Sequence, residues 1–154
     1  MPDASKSSKS GAKGRAAAPF AINVTIPSEY TAGREVQHKI MDAVSGHGFG
    51  EQATFAIKLA LEEALINAIK HGNKLDPKKK VVIAAKVDGR QCEIEIEDQG
   101  PGFTRSDVPD PTLEENLDKC SGRGILLIEA YMTKAKWDKG GRRLKMSKKN
   151  ETGA

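Results

Sequence analysis

The chain reads as an α+β protein, a two-layer sandwich in which a mostly antiparallel sheet carries its helices on one face. Three observations predict it. Apolar and polar residues alternate with period two in five short segments, at Phe20–Ile26, Val81–Val87, Gln91–Asp98, Lys134–Trp137 and Leu144–Ser147. Apolar residues recur at helical spacing in two consecutive segments between Ser28 and Asn73, and again after Gly124. The strand connections are hairpin-sized, Asp88-Gly89 and Gly140-Gly141, rather than the long crossovers that a parallel sheet requires.

Each element follows from its residues. Residues 1–19 are Ser, Lys, Gly and Ala with almost nothing to bury, so a disordered basic tail is expected there, with the folded domain over 20–150 and a short tail over 151–154. Phe20, Ile22, Val24 and Ile26 form the buried side of a strand that stops at Pro27. Ser28 is placed to cap the next helix, which carries Tyr30, Val36, Ile40 and Val44 and ends in Ser45-Gly46-His47-Gly48. A second helix runs from Glu51 to Asn73 and is apolar around most of its circumference, so it should be largely buried. Asp88-Gly89 between two alternating segments predicts a type I′ hairpin. Phe103–Ser121 has weak periodicity and two prolines, which suits a lid or binding loop. Ser121-Gly122-Arg123-Gly124 then runs into Ile125–Met132 as a helix opening on a Gly-rich turn.

Composition narrows the classes of function. The 154 residues suffice for one domain with a sizeable core. No apolar run reaches transmembrane length and no signal peptide is evident, so a cytoplasmic protein without membrane contact is expected. Cys92 and Cys120 lack metal-site spacing and read as core or incidental thiols. Much of the net charge of +4 lies in the first nineteen residues, where Lys6, Lys9, Lys13 and Arg15 face only Asp3. The cluster Arg142, Arg143, Lys145, Lys148 and Lys149 has no aromatic residues interleaved for base stacking, and reads as solvated surface rather than a nucleic-acid face.

Three stretches carry chemistry. On the second helix Glu63 and Asn67 lie one turn apart and project from one face, where apolar residues would be expected. A carboxylate on a buried helix needs a partner or a role, because an unpaired buried charge is costly. Lys70 is the structural partner that would make Glu63 ordinary. In Gln91–Asp98 the parity puts Cys92, Ile94, Ile96 and Asp98 on the inner face, so Asp98 points inward just before Gly100-Pro101-Gly102. A turn cap is its plainer role. The third stretch, Gly122 to Gly124 at a helix N-terminus, is a natural phosphate site. His71 and Asn73 read as helix terminators, His38 as part of a plain amphipathic helix, and Trp137 as packing or strand surface.

Taken in this order, the stretches resemble the Bergerat-fold (GHKL) ATPases, and within them the bacterial anti-sigma factor serine-protein kinases of the RsbW-like family. Over residues 20–148, EEALINAIKHGN is similar to the N box, EDQGPGF to the first glycine box and SGRGILLI to the second. The resemblance implies ATP and Mg²⁺ as cofactors. Asp98 would accept a hydrogen bond from the adenine amino group, and Gly100 and Gly102 would let base and sugar lie against the backbone. Asn67 would coordinate Mg²⁺, and Glu63 would be the general base for a serine hydroxyl or for water. Gly122 and Gly124 would hold the phosphates, with Arg123 adding charge at the γ-phosphate. Implied partners are a sigma factor and a STAS-type anti-anti-sigma protein, with homodimerisation left open. One departure stands out: many relatives open the last strand with Gly-Thr, where this chain has Gly141-Arg142-Arg143.

The leading expectation is therefore an ATP-dependent serine kinase that also sequesters a sigma factor. A nucleotide-dependent binding module without kinase activity is the alternative. A sensor histidine kinase would need a phosphoacceptor helix that the sequence does not offer.

Overall fold

Period-two alternation and hairpin-length connections build a five-stranded sheet in the computed structural model, which describes residues 18–102 and 120–151. The strands are β1 (Phe20–Pro27), β2 (Lys80–Val87), β3 (Gln91–Glu97), β4 (Lys134–Asp138) and β5 (Arg143–Lys149), in spatial order β1-β2-β3-β5-β4. Every neighbouring pair is antiparallel, with Ile83 opposite Ile96, Ile96 opposite Leu144, and Trp137 opposite Leu144. The helices are α1 (Tyr30–Gly46), α2 (Glu51–Ile66) and α3 (Cys120–Tyr131). The tail 1–17 and the expected lid over 103–119 lie outside the described residues.

The core sits between the inner sheet face and the helices. Val81, Ile83, Val87, Cys92 and Ile94 face Ile40, Val44, Ile57, Leu61, Ile69 and Ile128, all almost fully buried. Gly33, Val36, Ile40 and Val44 form the buried stripe of α1, the i, i+3, i+4 pattern that its sequence carries, while Tyr30 stays at the surface. Burial holds the free Cys92 thiol well up, to about 12, as expected of an inert core cysteine. Trp137 packs against the edge of this core.

Four expectations change at the local level. The helix from Glu51 is not uniform to Asn73: it is α-helical to Ile66, and Asn67–Gly72 forms a widened π turn. Ser28 does not cap α1, because its hydroxyl donates to the Lys79 carbonyl at 2.7 Å, and Glu29 occupies the cap position without a side-chain bond. The β2–β3 turn is not type I′, since Gly89 does not have positive φ. Instead the Asp88 carboxylate accepts the N–H groups of Arg90 (2.7 Å) and Gln91 (3.0 Å), and these backbone bonds hold its carboxyl below the usual Asp range. Finally, α3 has already begun at Cys120, so Gly122 and Gly124 lie within its first turns rather than ahead of it.

The β4–β5 connection does need glycine. Lys139, Gly140 and Gly141 all have positive φ, at 53°, 67° and 93°.

Candidate functional site

The site is built along one side of α2 and its π turn. Glu63 and Asn67, one helical turn apart, both meet α3 where Gly124 presents no side chain. A β-carbon on Gly124 would stand 2.8 Å from Glu63 Oε1, and 3.2 and 3.4 Å from the amide nitrogen and oxygen of Asn67. Burial, and then the neighbouring Glu62, push the Glu63 carboxyl above its ordinary range. Among the described residues Glu63 makes no ion pair with Lys70, so the structural partner considered for it is absent there.

Five residues further on, the same segment meets the end of β3. The Asp98 carboxylate rests on Gly72, where a β-carbon would fall 2.5 Å from Asp98 Cγ. Gly100 packs just as closely on the Gly72 carbonyl. Asp98 is therefore directed inward, as its parity predicted. Its Oδ1 accepts the Gly100 N–H at 2.8 Å, and no described residue bonds its Oδ2. Burial raises its carboxyl above the usual Asp range, against the opposing pull of the Gly100 N–H and the Arg142 charge. Gly102, with φ of 78°, packs against the Gly140 carbonyl.

The structure thus brings Glu63, Asn67 and Gly124 together at one end, and Asp98, Gly100 and Gly102 at the other, with the π turn between them. The backbone of Gly122 and Arg123 belongs to the first turn of α3. The Arg123 side chain lies outside the described features. The Arg142 carbonyl accepts the Asp98 N–H at 2.9 Å.

Asn73 is the residue that sequence reasoning undervalued. It is fully buried, and its side chain accepts from Gln99 N–H at 2.7 Å while donating to Ser28 Oγ and the Lys80 carbonyl, each at 3.0 Å. Gln99 answers by accepting the Lys80 N–H at 2.6 Å. The only sequence signal was an asparagine following Gly72, which reads equally well as a helix stop.

Chemically, one end offers a half-buried carboxylate beside a carboxamide, and the other an inward carboxylate with a spare acceptor among glycines. Oxygen donors of the first kind suit a hard divalent cation that draws its remaining ligands from phosphate and water. No group of three or more acidic, His or Cys residues gathers among the described residues, so such an ion would need those outside ligands. No helix of the described residues is long and apolar enough to cross a membrane.

Known proteins are similar to this chain in sequence and in fold. Residues 26–148 match the family model described as the histidine kinase-like ATPase domain. The chain is 35% identical over 83 residues to an anti-sigma F factor of Shouchella clausii, covering 52% of this chain and 56% of that protein. It is also 35% identical over 79 residues to an anti-sigma F factor of Clostridium perfringens, covering 49% and 56%. The matched stretch spans little more than half the length of these relatives. The fold is similar to a crystal structure of the RsbU and RsbW domains of a Mycobacterium tuberculosis protein, with a TM-score of 0.57 at 18% identity over 85% of this chain and 31% of that one.

Proposed function

We propose a function from one premise: this chain belongs to the histidine kinase-like ATPase domain family, matched over residues 26–148. On this reading it is an ATP-dependent protein serine kinase of the anti-sigma class. It sequesters a sigma factor and phosphorylates a STAS-type antagonist; the anti-sigma F factors among its relatives suggest that partner class. The observation that carries the reading is the meeting of Glu63 and Asn67 on Gly124, since the bare glycine lets a carboxylate and a carboxamide close in side by side on the backbone of the helix that opens at the Gly-rich stretch.

Each residue then has a task. Asp98 uses its spare Oδ2 to accept a hydrogen bond from the adenine amino group, while the absence of side chains at Gly72 and Gly100 lets the carboxylate and the backbone after it pack closely enough to hold that aim. Asn67 offers its side-chain oxygen to Mg²⁺, which when bound would neutralise phosphate charge. The first turn of α3, with Gly122, turns N–H groups toward the phosphates, Gly124 one residue beyond it keeps the backbone bare, and Arg123 adds charge there. Glu63 takes the proton of the substrate serine as its oxygen bonds to the γ-phosphorus and the bond to the β–γ bridging oxygen breaks, releasing ADP. The raised pKa of Glu63 suits it to hold that proton.

The test is Glu63→Gln. ATP affinity should stay near wild type while phosphoryl transfer to a serine of a STAS-domain substrate falls by about 100-fold or more. Normal phosphorylation by this variant would remove Glu63 as the base. A second reading is a nucleotide-dependent binding module without transfer; the resemblance would put Gly-Thr at the start of the last strand, where this chain has Gly141-Arg142-Arg143. Tight ATP binding with no transfer by the wild-type protein would select it.

A further inference from the structure

We propose that Asn73 is the positioning residue of this site, fixing the aim of Asp98 relative to the helix that carries Glu63 and Asn67. The inference rests on the reading of Asp98 as the adenine contact.

The Gln99 N–H belongs to the same planar unit as the Asp98 carbonyl, so a bond to it sets the rotation of the backbone just after Asp98. Asn73 Oδ1 makes that bond at 2.7 Å. On the preceding side the Asp98 N–H is held by the Arg142 carbonyl at 2.9 Å. Both planes flanking Asp98 are thereby fixed, and its carboxylate is directed onto Gly72. A helix terminator needs one bond to one carbonyl. Asn73 instead spends its acceptor on the turn after β3, and its two donors on Ser28 at the end of β1 and on the Lys80 carbonyl at the start of β2.

Two further features point the same way. Asn73 is fully buried, so its end of each of these bonds is shielded from solvent in the folded state. Directly after it Lys74 and Leu75 both adopt left-handed backbone, at φ of 54° and 58°, a conformation that L side chains resist. The chain accepts two such residues in succession while Asn73 stays seated.

The experiment compares Asn73→Ala, Asn73→Asp and Ser28→Ala with wild type, at a temperature where each is folded. It measures the affinity of Mg-ATP and of Mg-tripolyphosphate, a probe that lacks the base. Ser28→Ala removes a partner of the amide donor and leaves the Gln99 bond, so it should lower Tm and change ATP affinity by less than about twofold. Asn73→Ala should weaken ATP by roughly tenfold or more and leave tripolyphosphate unchanged. Asn73→Asp, which keeps an acceptor for Gln99, should recover most of the ATP affinity despite a lower Tm. Unchanged ATP affinity in folded Asn73→Ala, or equal losses for ATP and tripolyphosphate, would overturn the proposal.

Asp98→Asn separates the two readings. If it binds ATP normally, the base contact itself is wrong. If it loses ATP while Asn73→Ala keeps it, only the positioning role fails. Should Asn73→Ala not fold, amide exchange in the wild-type protein without nucleotide decides: the Gln99 N–H should exchange as slowly as the β3 amides, and exchange at the rate of a free loop would refute the fixed turn.

Discussion

The Asp98 carboxylate lies directly on the backbone of Gly72, so closely that a β-carbon there would fall 2.5 to 2.8 Å from all three of its carboxyl atoms. Gly72→Ala must therefore displace the carboxylate or the chain beneath it. A stability loss of about 1–3 kcal/mol is expected from overpacking, together with loss of ATP binding. Chemical denaturation and nucleotide titration on the same sample check both.

Gly124→Ala should behave differently. Its β-carbon would meet the far ends of Glu63 and Asn67, which can swing aside, and alanine favours a helix over glycine by about 1 kcal/mol. Stability should be unchanged or higher while phosphoryl transfer falls by roughly 100-fold, as expected for catalytic groups moved by about 1 Å. Paired melting curves and transfer assays would separate these effects.

The raised carboxyl of Asp98 sets the direction of two pH effects. The ionised carboxylate accepts an amino hydrogen bond more strongly than the neutral acid does, so ATP affinity should be full above the raised pKa and fall as the pH drops through it, above the 3.8 of an ordinary Asp. Stability has the opposite sign. The folded state holds this proton more tightly than the unfolded one, so the contribution of Asp98 is greatest in acid and declines as pH rises through the folded pKa. Calorimetry in buffers of different ionisation enthalpy should register proton release on ATP binding in the acid limb, absent in Asp98→Asn.

Lys74 is exposed and left-handed, with φ of 54°. Lys74→Gly removes that conflict at little cost in burial and should raise stability by about 0.5–1 kcal/mol, after allowing for the freer unfolded chain. An unchanged or lower denaturation midpoint would contradict this.

The sheet, its hairpins and the inward turn of Asp98 were legible because a strand has a strict period of two: Cys92, Ile94 and Ile96 fix the side on which Asp98 must fall. The pairing of Glu63 with Asn67 was legible for the same kind of reason, as the helical repeat puts i and i+4 together. Long-range bonds left no such trace. Ser28 looks like a cap because serine before a helix usually is one, and only the fold brings the Lys79 carbonyl within its reach. Asp88-Gly89 suggests a type I′ turn, yet the Asp88 carboxylate collects two N–H groups and makes positive φ at Gly89 unnecessary. Asn73 resembles any helix stop until Gln99 and Lys80 arrive from distant parts of the chain.

The widened turn at Asn67–Gly72 has a geometric consequence of its own. A π turn closes its bond to the fifth residue rather than the fourth, as Asn73 N–H does with the Ala68 carbonyl at 2.9 Å. It thus contains one residue more than an α-helical turn, and everything after it is rotated by about 100° from where a regular helix would carry it. Glu63 and Asn67 keep the phase of α2, while Gly72 and Asn73 take a new one. A single inserted residue is therefore enough to make one continuous segment face two neighbours, α3 before the change of phase and the end of β3 after it.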